Sequence, residues 1–346
     1  MKSSKVTEIL PGLYQFRLPI PIRSLKSVFA YFAFDGKSNL LIDTGWPSEE
    51  AQESLESALS SLGFSLGEIE TVIVSHLHPD HFGLAEEIRE RAPNSKLVMH
   101  KADAEWILNT REEYERFVRE LHDWLKVHGT PKQELSAMYS VSIKMLNFFR
   151  PPKPTVIANG GEVIKVGQKW RFEIIHTPGH TIGNICLYER GGSKAFFSGD
   201  HILPTITPNV SLSPRYNTNP LGDYLSSLES LKTLDAGHVL PSHEYVFSNL
   251  KERIQEIQGH HLERLEEVIS IVKKQVKAGT SAYNVSKLVH WDSGPWESLS
   301  AWEKRAALME TLAHLEYLKR KRRLTETQEG SGTSRKIRYV ISKSSR

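Results

Sequence analysis

The stretch IVSHLHPDHFG, residues 73–83, follows a run of β-branched residues and packs His76, His78, Asp80 and His81 into six positions. Imidazole nitrogens and carboxylate oxygens are the usual ligands of zinc and related first-row metals. His76 and His78, two apart at a strand end, can converge on one ion if the backbone turns at once. Pro79 and Gly83 favour that turn. Asp80 and His81 then point elsewhere, toward a second ion.

Such a cluster needs further ligands from distant parts of the chain, and three residues stand in matching surroundings. His180 lies in HTPGHTIGN, a Gly-rich turn after a strand pattern; Asp200 ends KAFFSGD; His243 ends HVLPSH. Each falls at or just after a strand end, where α/β architectures place their sites. The chain holds 15 histidines in 346 residues, so isolated ones such as His122, His128 and His290 read as surface or core residues without a role. The pair His260-His261, on a polar helix, reads as solvated.

Around these motifs, strand patterns alternate with turn signals. GLYQFRL, SVFAYFAFDG, SNLLIDTG, TVIVSH and KLVMH are rich in β-branched and aromatic residues and bounded by Gly, Asp or Ser. A helix over roughly 47–62 is predicted by Pro47-Ser48-Glu49-Glu50 and by leucines at 55, 59 and 62, and another should start near Leu84. From 101 to about 150 the pattern is helical, with Tyr114, Phe117, Leu121 and Trp124 at spacings of three and four; RPPKPT then stops it. Strands return in EVIKVGQKWRFEIIHT, NICLYER and KAFFSGD. From about 246 the chain is helical and polar and ends in a charged strand-turn-strand. No repeat of fixed period is present, and alternating strands and helices indicate stacked sheet and helix layers.

Composition bounds the function. A hydrophobic fraction of 39%, a charged fraction of 25% and a net charge of +3 are those of an ordinary globular protein and name no partner. No window approaches the ~18 consecutive apolar residues of a spanning helix, so no membrane partner is expected. The N-terminus shows no apolar secretory core. The single Cys186 excludes an intramolecular disulfide and fits a cytoplasmic protein. It sits within a strand pattern and reads as core filler.

The ordered set HLHPDH, His180, Asp200 and His243 resembles the five-motif signature of the metallo-β-lactamase-fold hydrolases. Asp43 in LLIDTG matches that family's first motif, and the resemblance covers about residues 6–245. It implies an α+β four-layer αββα sandwich with the metal site at one edge. It implies two divalent metal ions, zinc first, with iron or manganese as alternatives. His76, His78 and His180 would hold one ion, Asp80, His81 and His243 the other, and Asp200 would bridge them. Asp43 would stand behind the ligands and orient ligand-bearing backbone. The expected domains are 1–245, with a helical lid insertion over 101–150, and 246–346.

Departures from the family narrow the chemistry. The family's lactamases carry a cysteine where this chain has Asp200, which argues against antibiotic hydrolysis. SHEYV at the last ligand resembles GHEYT of the glyoxalase II-type thioesterases, but that group's glutathione-gripping basic residues find no match. The C-terminal run resembles the winged-helix extension of the beta-lactamase-like protein 2 branch, which includes endoribonucleases. Two cations sharing a water would lower its pKa from ~16 toward ~7 and polarise the attacked oxygen. Asp80 and Asp200 are the candidates to take the proton.

The leading expectation is a dinuclear hydrolase of a small-molecule ester, thioester or lactone. Its substrate would have an apolar portion held by Met138, Tyr139 and Phe148 of the lid. A metal-dependent endoribonuclease is the first alternative. A winged-helix nucleic-acid-binding protein with a vestigial metal site is the second, opposed by the complete ligand set. An iron-dependent persulfide-type oxygenase has the same ligands. Residues 319–346 hold ten Lys/Arg against two Glu, but with little aromatic interleaving. Nucleic acid is therefore a partner the sequence permits without favouring.

Overall fold

The structure, a computed structural model, describes residues 6–21, 25, 27–107, 110–148, 150–215, 218–275, 279–332 and 335–342. Phe149, within the helical lid insertion expected over 101–150, and residues 333 and 334 in the turn of the C-terminal strand-turn-strand lie outside the described residues.

Seven strands form one sheet in sequence order: β1 (Val6–Leu10), β2 (Leu13–Pro19), β3 (Ser27–Phe34), β4 (Asn39–Ile42), β5 (Thr71–Ile73), β6 (Lys96–His100) and β7 (Val156–Ala158). The first four pair antiparallel, and β4 to β7 pair parallel. Parallel neighbours need crossovers. These are α1 (Glu49–Ser61), then α2 (Pro79–Phe82) with α3 (Ala85–Arg91), and α4 (Lys101–Ala104) follows β6 directly. Ser48 caps α1 by accepting the Ala51 N–H, and Ala51, Leu55, Ala58 and Leu59 form its buried face.

The second sheet has five strands: β8 (Val163–Val166), β9 (Trp170–His176), β10 (Ile185–Glu189), β11 (Ala195–Gly199) and β12 (His238–Pro241), in the order β12-β11-β10-β9-β8. Only β11 and β12 run parallel, joined by a connection that holds α7 (Pro220–Leu231). Side chains alternate across a strand. Phe29, Tyr31 and Ala33 of β3 therefore enter the core between the sheets, with Phe172, Ile174, Leu187, Phe197 and Leu240 of the second sheet. Phe32 points to the other face and packs on Phe16 and Phe64, with ring centroids 5.9 and 5.0 Å away. Both faces of the first sheet are covered, which explains why β3 is buried almost throughout. The result is an α/β sandwich.

The chain divides into two compact units, Met1–Ile107 with Phe148–Pro208 and Ser227–Ile254, and Leu108–Asn147 with Asn209–Ser226 and Gln255–Arg346. Both large sheets lie in the first. The second contains α5 (Arg111–Val127), α6 (Lys132–Met145), most of α8 (Leu250–Lys274), α9 (Ala282–Leu288), α10 (Ala301–Arg320) and a hairpin of β13 (Leu324–Glu329) and β14 (Lys336–Ile341). Within it α6 and α9 pack on α10, and α5 packs on α6 and β14. Packing thus draws the line differently from a boundary at 245, because the apolar face of α6, with Leu135 and Met138, is buried inside this second unit.

One expectation is corrected. His261 is fully buried rather than solvated, with Nδ1 3.2 Å from His314 Nε2 and its ring edge-on to Tyr224. The polar residues beside it in sequence occupy the other face of α8 and mask that burial. Among the described residues no helix is long and apolar enough to cross a membrane.

Candidate metal centre

The centre is built at the ends of β4, β5, β9, β11 and β12. Asp43, directly after β4, takes a left-handed backbone with φ +59°. This conformation is costly for most residues but tolerated by Asp. One of its carboxylate oxygens accepts the Ser75 N–H at 2.7 Å. The other accepts the Ser75 hydroxyl and the His81 Nδ1–H, each at 2.8 Å. Thr44 extends this clamp: its N–H and its hydroxyl both donate to the His81 carbonyl, at 2.8 and 3.0 Å.

The motif itself turns as required, but for a different reason at Gly83. His78 precedes α2, and Pro79 opens it, where a missing N–H costs nothing. Gly83 has ordinary helical dihedrals. Its necessity is steric: a Cβ there would lie 2.4 Å from the Gly45 carbonyl, the Pro47 ring and the Pro79 carbonyl.

The seven residues singled out as ligands come together as two groups. His76, His78, His180 and Asp200 bring donor atoms within 4.8 Å of one another, and so do Asp80, His81 and His243. His78 Nδ1 lies 2.9 Å from His76 Nε2 and 3.0 Å from His180 Nε2. Asp200 reaches both groups, with carboxylate oxygens 3.7 Å from His180 Nε2, 3.6 Å from His81 Nε2 and 3.3 Å from His243 Nε2. His243 is fixed from behind, its Nδ1–H donating to the Ser27 carbonyl at 2.9 Å.

Charge is distributed unequally. Burial, reinforced by the neighbouring imidazoles, holds His76 well below the ordinary histidine pKa and His78 down to about 3. Both are therefore neutral, with lone pairs available. Burial opposes charge on His81 and His243 as well, but Asp80 and Asp200 outweigh it. His81 is raised well above its usual range and His243 to about 10. Asp80 and Asp200 are buried too, yet His81 and His243 keep them well below the usual carboxylate range. A buried network of this kind exposes its missing members. His81 Nε2, His243 Nε2 and Asp200 Oδ1 are shielded from solvent and held only by ion-pair contacts of 3.3 to 3.6 Å, without a well-formed hydrogen bond. Such atoms are costly unless something binds them. Divalent cations on imidazole and carboxylate donors would satisfy them and replace the protons on the imidazoles, so the residues fit the metals the resemblance implies.

One residue outside the motifs adjoins the ligand-type groups. Asp103 in α4 is buried, and burial pushes its carboxyl up to about 6. It accepts hydrogen bonds from Leu77, Thr181 and Gly183. The pocket residues are not brought together within one unit. Met138 is buried in the second unit and Tyr139 meets His122 there, whereas Phe148 belongs to the first, where it packs on Trp46 with centroids 5.6 Å apart. Cys186 is buried in β10, and burial pushes its thiol up to about 12, so no thiolate nucleophile is present.

Comparison with known proteins agrees with this geometry. The family model of the metallo-beta-lactamase superfamily matches residues 23–243. The chain belongs to that superfamily and is a hydrolase of it. It is 25% identical over 274 residues to a beta-lactamase-like protein 2 homolog of Caenorhabditis elegans, spanning 79% of this chain and 74% of the relative. It is 27% identical to the acyl-coenzyme A thioesterase MBLAC2 of Gallus gallus, over 56% of this chain and 62% of that protein. A crystal structure of a beta-lactamase domain protein from Burkholderia ambifaria superposes with a TM-score of 0.81 at 26% identity. It covers 99% of this chain and 95% of that one.

Proposed function

We propose that the protein is a dinuclear, zinc-dependent cytoplasmic hydrolase of a small thioester, ester or lactone with an apolar portion. The observation that carries this is the set of buried donor atoms on His81, His243 and Asp200 that lack a well-formed hydrogen bond, set among seven convergent ligand-type residues. His76, His78 and His180 would hold one ion, Asp80, His81 and His243 the other, with Asp200 serving both. Bound there, divalent cations supply Lewis acidity and bring the pKa of water toward ~7.

The chain's own residues do the rest. Asp80 and Asp200 keep low pKa values in a buried site, so they remain charged carboxylates suited to cations, and they stay the candidates to take the water's proton. Asp43 fixes the His81 ring and the Ser75 backbone at once. The exposed Phe148, backed by the buried Trp46 three residues beyond Asp43, offers an apolar surface suited to an acyl chain. A thioester is the favoured class, supported by the acyl-coenzyme A thioesterase among the relatives. We further read α9, α10 and the β13–β14 hairpin as a winged-helix module, with 101–150 as the helical insertion.

The endoribonuclease alternative loses support from the basic C-terminal run. Lys319 pairs with Glu316 and Glu326, Arg320 with Glu316, Arg323 with Glu266 and Arg338 with Glu329. Four of the run's ten cations are thus answered within the same unit. The test is a panel of acyl thioesters, esters, lactones and RNA, offered to chelator-stripped and zinc-restored protein. Zinc-dependent turnover, fastest on an acyl thioester, is expected. Zinc-dependent RNA cleavage without ester or thioester turnover would contradict the proposal.

A further inference from the structure

Asp103 stands outside every motif, yet it touches both loops that carry the three-histidine group. Leu77, between His76 and His78, donates its N–H to Asp103 Oδ2 at 2.7 Å. Thr181, next to His180, donates its hydroxyl to the same oxygen at 3.0 Å, and the Gly183 N–H donates to Oδ1 at 2.8 Å. One carboxylate thus joins segments that are 26 and 78–80 residues away in sequence. Hydrogen bonds to an ionised acceptor are about twice as strong as neutral ones.

The fit is mutual. A Cβ on Gly183 would lie 2.4 Å from the Asp103 backbone nitrogen and 2.6 Å from its carboxyl carbon. The loop can therefore approach Asp103 only as glycine. Lower down, the Ile185 N–H donates to the Ser75 carbonyl at 2.9 Å and ties the strands together. That bond lies before His76 and after His180, whereas the bonds of Asp103 lie among the ligand-bearing residues themselves and back the 3.0 Å contact of His78 with His180. The hydrogen bonds of Asp103 go to the three-histidine side, to Leu77, Thr181 and Gly183, rather than to Asp80, His81 or His243.

We propose that Asp103 is a positioning residue for one ion of the pair: it holds the His76–His78 turn and the His180 turn at ligand spacing and acts selectively on the three-histidine group. The inference rests on the two-ion assignment above. Loss of a residue that orients metal ligands weakens affinity roughly 10–100-fold. Asp103→Asn keeps the shape but turns one acceptor oxygen into a donor facing an N–H or hydroxyl donor.

The test uses the full-length chain stripped of metal, with zinc affinity read by competition against a chromogenic chelator. In a His243→Ala background, which leaves the three-histidine group intact, Asp103→Asn should weaken zinc binding about 10–100-fold. In a His78→Ala background it should change affinity by less than about threefold. Equal weakening in both backgrounds, or none in either, overturns the proposal. Should Asp103→Asn fail to fold, Thr181→Val removes one of the three donors and should give a smaller loss with the same selectivity. Equal or absent effects there would overturn it as well. A wild-type chain that binds no zinc would instead defeat the two-ion assignment, which separates the two failures.

Discussion

The Asp43 carboxylate accepts a hydrogen bond from His81 Nδ1 at 2.8 Å and from the Ser75 backbone at 2.7 Å, so one side chain sets both the His81 ring and the entry to the His76–His81 turn. A bond to Nδ1 leaves Nε2 as the donor to an ion and raises its basicity. Asp43→Asn tolerates the left-handed backbone but withdraws the charge. We expect it to lower zinc affinity of the Asp80, His81 and His243 group by about 10–100-fold, read by chelator competition. Unchanged affinity would deny Asp43 that role.

Gly83→Ala tests the steric reading of the motif. Its Cβ would meet the Gly45 and Pro79 carbonyls and the Pro47 ring at 2.4 Å, and backbone cannot move aside cheaply. A loss of about 1–3 kcal/mol in unfolding free energy is expected from such overpacking, together with reduced metal content. Denaturant melts of both proteins would show it, and wild-type stability would mean that α2 can shift.

Glu310 supplies a pH dependence within the second unit. Burial raises its carboxyl to about 7, against the opposing pull of Arg264 and the Asn209 hydrogen bond. The native state therefore holds this proton more tightly than the unfolded chain, where the value is 4.5. The stabilisation is full below pH 4.5 and is lost as pH climbs to about 7. The swing is on the order of 3 kcal/mol. Glu310→Gln should flatten this slope and gain stability at pH 8 relative to wild type. Parallel pH profiles for the two proteins would refute the assignment.

The ion-paired basic run should bind RNA weakly at physiological salt. Filter binding with a structured RNA is expected to show no micromolar affinity. A micromolar affinity that falls steeply with salt, and disappears when residues 319–323 are neutralised, would reverse the preference for a small substrate.

Much of the centre is legible in the sequence, for a physical reason. Metal ligands must be particular residue types, and a turn that presents several of them has a recognisable spacing. His180, Asp200 and His243 are legible because each ends a strand pattern. Asp103 is not, since it acts largely through main-chain donors, and backbone N–H groups carry no sequence signature. Gly83 stands out as a turn residue, whereas its role is to admit neighbouring backbone. The amphipathic pattern of α6 announces a buried face but cannot name its partner, so its place in the second unit escapes a linear reading. His261 looks solvated because its neighbours on α8 are polar, while position 261 turns toward His314 and Tyr224.

The most direct test of the account is the metal content of the purified chain after dialysis against zinc, measured by elemental analysis. Two zinc ions per wild-type chain are predicted, with the three-histidine ion lost from a His78→Ala, His180→Ala double variant. A wild-type chain without stoichiometric metal, or a double variant that retains both ions, would contradict it.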